Sequence, residues 1–384
     1  MTPCIRRAPA LVSAAATLVA TALLGGAPRA ARACGGGLVT VDRSGVGADA
    51  QRIFISVRPT TTEVVTQIGV PSTDADYGVL LPVPAQPTLD PQPVPVAELE
   101  SLDRSTAPQI LTNTGGDDGV GCCLPMTGAG GASKGGPGAA VDVSQPVNIG
   151  PVTAVTLTAD TGASINAWLA ESGFVIPPEQ QPLVDSYAGP GRYFIAIRRN
   201  QTAAAPGAPT SIGLHFTLPG DQRALPLRFA RLGAAPTVAF TVFVFAPTLV
   251  APATPFETVT IEDLDAGVLR ASGYRAAVER AIAARNNLAF VIERGHPQGR
   301  QGLGPRLESL SEPLAVSQFT RLTTILPASA LTTDVALDQV FRGSVGGTVI
   351  VENERPSELR RAGTGLGGLF GAALLGLRRR RRRR

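Results

Sequence analysis

Residues 238–246 read VAFTVFVFA, and six of these nine positions are valine or phenylalanine. β-Branched and aromatic side chains suit a pleated backbone. No polar face alternates with the apolar one, so the run is predicted to be a central strand buried on both sides. Shorter runs of the same character lie on either side of it. They occur at 38–41, 51–58 (QRIFISVR), 63–70 (EVVTQIGV), 77–83 (YGVLLPV), 151–158 (PVTAVTLT), 191–198, 211–218, 225–230 and 288–294 (LAFVIER). Turn-forming residues separate them.

Helical spacing appears in fewer places. Val96, Leu99 and Leu102 mark residues 96–106 as a helix. Residues 161–173 (TGASINAWLAESG) place Ile165, Trp168 and Leu169 on one face, with Gly173 as the stop. Residues 272–286, rich in Ala, Arg and Glu, form a third helix. A Pro-rich stretch, 82–95, is expected to hold no regular element. Strands outnumber helices and do not alternate with them regularly. The expected class is α+β: a β-rich body of antiparallel or mixed sheets with several short helices.

The body is interrupted once. Residues 114–140, TGGDDGVGCCLPMTGAGGASKGGPGAA, are Gly-rich with little to bury, which predicts a loop or linker. The expected organisation is 1–33 signal peptide, 34–113 and 151–352 as the two parts of the body, and 114–150 as the linker. Residues 353–361 form a polar connection and 362–384 an apolar segment with an arginine cluster.

The ends carry the positive charge. The whole chain has 34 basic and 30 acidic residues. Four arginines precede Cys34, seven close the chain at Arg378 through Arg384, and no acid accompanies them. The remaining 23 basic residues face 30 acids, so the part expected to fold is net acidic. That balance speaks against nucleic-acid binding, which needs a basic face.

Arg6 and Arg7, an uncharged apolar stretch over 8–26, and the triplet Ala31-Arg32-Ala33 have the three-part layout of a secretory signal. Cleavage is expected between Ala33 and Cys34. A lipobox would place leucine at the position of Ala31 and a small residue at Arg32, so lipidation of Cys34 does not fit. At the other end, 362–377 are 16 uncharged residues, shorter than the roughly 20 of a spanning helix. The arginines that follow are expected to stay on the cytoplasmic side. This tail resembles bacterial C-terminal sorting signals, above all the Gly-Gly class, through Gly367-Gly368 and the run to Arg378 and Arg384. That resemblance implies a membrane partner, the export machinery and a rhomboid-type sorting protease. The myxobacterial class is similar but carries a cysteine, which this tail lacks.

Of the four cysteines, Cys4 would leave with the signal. Cys34, Cys122 and Cys123 remain, and in an oxidising compartment a disulfide from Cys34 to one of the other two is expected. Adjacent cysteines rarely bond to each other. No C-x-x-C pair suggests zinc, and no cofactor is expected. The two histidines are His215, read as a lone residue on the polar face of a strand, and His296, read as a loop residue. No G-x-S-x-G or H-E-x-x-H motif accompanies either. Two glycine patterns, Gly45-x-Gly47-x-x-Ala50 and Gly363-x-Gly365-x-x-Gly368, lack the strand-turn-helix context of a nucleotide site. The acidic groups Asp74/Asp76, Asp117/Asp118 and Glu262/Asp263/Asp265 match no calcium loop and read as solvated turns.

Several ordered segments carry a wider resemblance: CGGGLVTVDRSGVGADAQRIFISV from Cys34, DYGVLLPVPAQP, INAWLAESGFVIPP, GRYFIAIRR and FTRLTTILPASALTTD. Together they are similar to the exported bacterial family called domain of unknown function 2330. The family's aromatic position before LPVP is occupied here by Tyr77 or Gly78. The resemblance implies a secreted or envelope-attached protein and brings no catalytic residue with it. Two functions stay open: a membrane-tethered envelope or surface protein with a non-enzymatic binding or structural role, or an extracytoplasmic hydrolase using paired carboxylates.

Overall fold

The predicted central strand is Thr237–Ala246, the fourth of eight strands in a mixed sheet. The computed structural model describes residues 37–40, 50–69, 77–112, 141–200, 211–233, 236–296, 302–311 and 318–351.

The strands in chain order begin with β1 (Gly37–Thr40), β2 (Ala50–Val57), β3 (Thr61–Gly69), β4 (Tyr77–Val83), β5 (Thr88–Leu89) and β6 (Gln109–Thr112). After the Gly-rich segment come β7 (Asp142–Val143), β8 (Val147–Ile149), β9 (Val152–Thr158), β10 (Tyr193–Arg199), β11 (Ser211–Pro219) and β12 (Ala224–Leu225). The central strand is β13, followed by β14 (Val250–Ala251), β15 (Glu257–Thr260), β16 (Ala289–His296) and β17 (Gln318–Pro327). The last are β18 (Val335–Ala336), β19 (Gln339–Val340) and β20 (Thr348–Val351). The α-helices are α1 (Val96–Thr106), α2 (Gly162–Glu171), α3 (Gln181–Asp185), α4 (Ala266–Ala283) and α5 (Pro305–Ser311).

Two sheets dominate. The larger runs β15-β16-β17-β13-β2-β3-β11-β5, with β13 parallel to β2 and antiparallel to β17. The smaller runs β1-β4-β10-β9-β7, with β8 also on β9, and is antiparallel throughout. Both large sheets combine strands from before and after the Gly-rich segment, so neither belongs to one half of the body.

Alternation along the strands sorts the side chains into layers. Val79, Leu81, Ile195 and Ile197 of the smaller sheet pack against Ile53, Ile55, Phe240 and Val242 of the larger one. The opposite face of the larger sheet presents Phe54, Val65, Phe243 and Phe245 to Leu99 and Leu102 of α1 and Leu307 and Leu310 of α5. The opposite face of the smaller sheet presents Leu80, Leu157 and Phe194 to Ile165 and Leu169 of α2 and Val184 of α3. The result is a four-layer sandwich, helix–sheet–sheet–helix. The α+β class and the β-rich mixed architecture are as the sequence implies.

Four local expectations need correction. Pro82 and Val83 continue β4, and Thr88–Leu89 pair with β11, so the Pro-rich stretch does contribute strand. Residues 225–230 are not a strand: Pro226 ends β12, and Leu227–Arg231 wind into a 3₁₀ turn. The helix predicted at 272–286 is the second of two helical segments that meet at Gly273, whose φ of 81° breaks the helix, and it ends at Ala283. The first starts at Ala266, where the Asp265 side chain accepts the Val268 N–H at 3.0 Å. His296 closes β16, paired with Phe319, and is not a loop residue.

The sheet-to-sheet interface is the main apolar store of the fold. Phe240→Ala, at a side chain 1% exposed between the sheets, is expected to lower the unfolding free energy by about 3–5 kcal/mol. Urea unfolding of the purified body measures it, with Ile350→Ala, 65% exposed, as the control that should shift stability by no more than about 0.5 kcal/mol.

Candidate functional site

Several charged side chains of the larger sheet, Glu63, His215, Glu293 and Arg321, are buried. His215 on β11 is registered against Val65 of β3, on the helix-covered face. It is only 5% exposed. Its Nε2 lies 2.9 Å from Glu63 Oε2 and its Nδ1 lies 2.8 Å from Asp90 Oδ2. Each ring nitrogen therefore faces a carboxylate oxygen at hydrogen-bond distance. Thr217 Oγ1 donates to Glu63 at 2.8 Å, Arg58 pairs with Glu63 at 3.1 Å, and Arg306 of α5 reaches Asp90. Glu98 of α1 accepts the backbone N–H groups of Arg306 and Leu307, each at 3.0 Å, at the start of α5. The cluster ties β3, β11, the Pro-rich segment and α5 into one unit. The expectation of a solvated histidine fails because α5 covers this face.

A second cluster sits on the same face. Arg321 of β17 lies over the Phe243 ring, 5.3 Å from its centre, and donates to Glu293, to Asp103 and to Thr106. Tyr274 of α4 donates to the other Glu293 oxygen. Burial works against the Arg321 charge, but Glu293 and Asp103 outweigh it and hold the guanidinium's pKa above its ordinary value. Both clusters join helices to the sheet, and none of their residues lines either of the two clefts at the smaller sheet.

Open space lies elsewhere, at the smaller sheet. One cleft of about 390 Å³ is lined by Pro82, Pro84, Tyr187, Arg192, Pro226 and Asp334. Tyr187 donates to Asp334 at 2.6 Å, and the Arg228 N–H donates to the same carboxylate at 2.9 Å. Burial and then Asp334 itself push the Tyr187 hydroxyl pKa upward, so the tyrosine stays a neutral donor.

The larger cleft, about 520 Å³, opens on the outer face of the smaller sheet. Its construction follows from α2. Thr161 caps the helix, accepting the Ser164 N–H at 3.2 Å. At the other end Gly173, at φ 89°, donates to Ala170 O at 3.0 Å, and Phe174 donates to Leu169 O at 2.7 Å, a Schellman close. That turn sends Phe174 back onto β4, where Gly78 makes room: a Cβ there would stand 3.1 Å from the ring. α2 covers Leu80, Leu157 and Phe194 but not the next row of outward positions. Gly78, Arg198 and Thr153 share that row by register. Trp168 and Phe174 form the wall. The cleft falls within the roughly 300–1,000 Å³ typical of small-molecule sites.

Asp263 and Asp265 serve as caps, Asp263 bonding Thr260 and Asp265 starting α4, and Glu262 sits in the first turn of a 3₁₀ helix. Among the described residues no three His, Cys, Asp or Glu side chains gather as a metal site would. Of the two clefts, one is lined by a single carboxylate, Asp334, and the other by none. Ala31, Ala33, Cys34, Asp74, Asp76, Asp117, Asp118, Cys122, Cys123, Gly367, Gly368, Arg378 and Arg384 lie outside the described residues. Among those described, no helix is long and apolar enough to cross a membrane. Asp90, Arg306, Trp168 and Arg198 are site-forming residues that sequence reading alone does not single out.

Burial pushes the Glu63 carboxyl up, but hydrogen bonds from His215 and Thr217 and the charge of Arg58 outweigh it and hold it below its usual range. Asp90 behaves alike: burial is outweighed by the Gln92 N–H, His215 and Arg306. Both groups bind protons less readily folded than unfolded. Their stabilisation is complete above the ordinary carboxyl range and is lost as pH falls through the depressed folded values. Urea unfolding is therefore expected to show stability declining from about pH 5 downward. A Glu63→Gln, Asp90→Asn double variant should flatten that decline. At pH 7, His215→Leu takes one partner each from Glu63 and Asp90, which keep Arg58 and Arg306, and is expected to cost about 1–3 kcal/mol.

Compared with curated proteins and with solved structures, the chain finds no match in either. The model of one bacterial family, described as "Uncharacterized protein conserved in bacteria", matches residues 28–294, a stretch that includes every residue named for the larger cleft and ends before the 319–334 segment. The chain belongs to that family, DUF2330.

Proposed function

We propose that this chain is an exported protein held at the cell envelope by its C-terminal tail, and that its body binds a small apolar ligand without chemically changing it. The observation that carries the binding role is the cleft under α2. It is concave, walled by Trp168, Phe174, Leu80 and Val155, and edged by the hydroxyl residues Ser144, Thr153 and Ser172. A few polar groups at the mouth of an apolar hollow are what a small-ligand site requires. The signal-like start and the arginine-terminated tail support the extracytoplasmic placement. Paired-carboxylate hydrolysis has less behind it. Glu63 and Asp90 are bridged by His215 inside packed layers, and Asp334 is already engaged by Tyr187 and Arg228.

Trp168 is the single tryptophan of the chain, so its emission reports this cleft and nothing else. Titration with the neutral amphiphile dodecyl maltoside, below its micelle concentration, is expected to shift the emission to the blue and to saturate. Ala196→Leu, which fills the cleft floor, should abolish the response while leaving the circular dichroism unchanged. A flat titration of the wild type contradicts the binding role. For placement, intact mass of the membrane-recovered protein should begin at Cys34, and a chain still beginning at Met1 contradicts export through a cleaved signal.

A further inference from the structure

We infer that the ligand of the α2 cleft is a single-chain amphiphile with a negatively charged head group, and that Arg198 receives that head. The inference rests on the binding role proposed for this cleft and adds the ligand's chemical class.

Three observations converge. First, the outward row of the smaller sheet at this level consists of Gly78, Arg198 and Thr153, so the guanidinium belongs to the cleft and not to the sheet-to-sheet core. Second, Arg198 makes no hydrogen bond or ion pair with any described residue. Its neighbour on the same strand, Arg199, is buried and engaged. Third, no carboxylate is among the described residues that line the cleft. The one element end that could oppose an anion, the C-terminus of α2, has the carbonyls of Trp168, Leu169 and Ala170 taken by Ser172, Phe174 and Gly173.

Among the described residues nothing neutralises this half-buried cation, which faces an apolar hollow. The guanidinium offers a planar fork that fits a carboxylate or phosphate in two parallel hydrogen bonds. The apolar floor and the Trp168 and Phe174 rings take a hydrocarbon chain. The net acidic body would repel a free anion at long range, so the chain supplies the binding energy and Arg198 selects the head.

The test compares three probes of equal chain length on the full protein, read by Trp168 emission: dodecanoate, dodecyltrimethylammonium and dodecyl maltoside, each below its micelle concentration. Dodecanoate should bind best. Arg198→Gln should weaken it about tenfold, the scale of one charge-assisted contact, and leave dodecyl maltoside unchanged. Dodecyl phosphate alongside dodecanoate distinguishes a phosphate-bearing from a carboxylate ligand, and preference for either supports the inference. Equal binding of the three probes, or loss of all three in Arg198→Gln, overturns the head-group assignment while the apolar cleft stands. Failure of all three on the wild type removes the binding role as well.

Discussion

A sheet whose strands are apolar on both faces must be covered twice, and that requirement organises this molecule. The larger sheet meets it fully. Its inner face packs on the smaller sheet, and its outer face is covered by α1 and α5. The smaller sheet meets it only in part. α2 has ten residues, about 15 Å of helix, while β10 alone runs seven residues, about 23 Å. The shortfall is the cleft.

The two covered faces are held in different ways. Between the sheets the contact is apolar and gains its strength from area. Beneath α1 and α5 the phenylalanine cluster is flanked by charge clusters around His215 and Arg321, which fix where each helix sits. Apolar packing alone is non-directional. A histidine placed between two carboxylates accepts one arrangement of β3, β11 and the Pro-rich segment, and Glu98 then sets the start of α5. These charges lie outside both clefts and join helices to the sheet.

Much of the fold is legible in the sequence because its strands are long, β-branched and sharply bounded. β4, α1 and the cap and stop of α2 fall close to where the residues place them. The errors have two causes, a distant partner overriding a local signal and a local breaker outweighed in the reading by composition. His215 looks solvent-facing from its own strand, and only the chain at 90 and 306 buries it. The 225–230 run has strand composition, yet Pro226 turns it. The cleft was visible only in fragments. Gly78 lies in one segment, Trp168 and Phe174 in a second, and Arg198 in a third, and no spacing rule joins residues that strand pairing brings together.

The central claim, that the shortfall of α2 leaves an open and locally positive hollow at Trp168, is tested most directly by collisional quenching of its emission with iodide and with caesium at equal ionic strength. The body is net acidic, so an exposed tryptophan governed by the overall charge would favour caesium. At about 0.15 M salt the field beyond roughly 8 Å is screened, and Arg198 should then dominate. The account predicts stronger quenching by iodide, reversed by Arg198→Glu. Equal quenching by both ions, or protection from both, would contradict it.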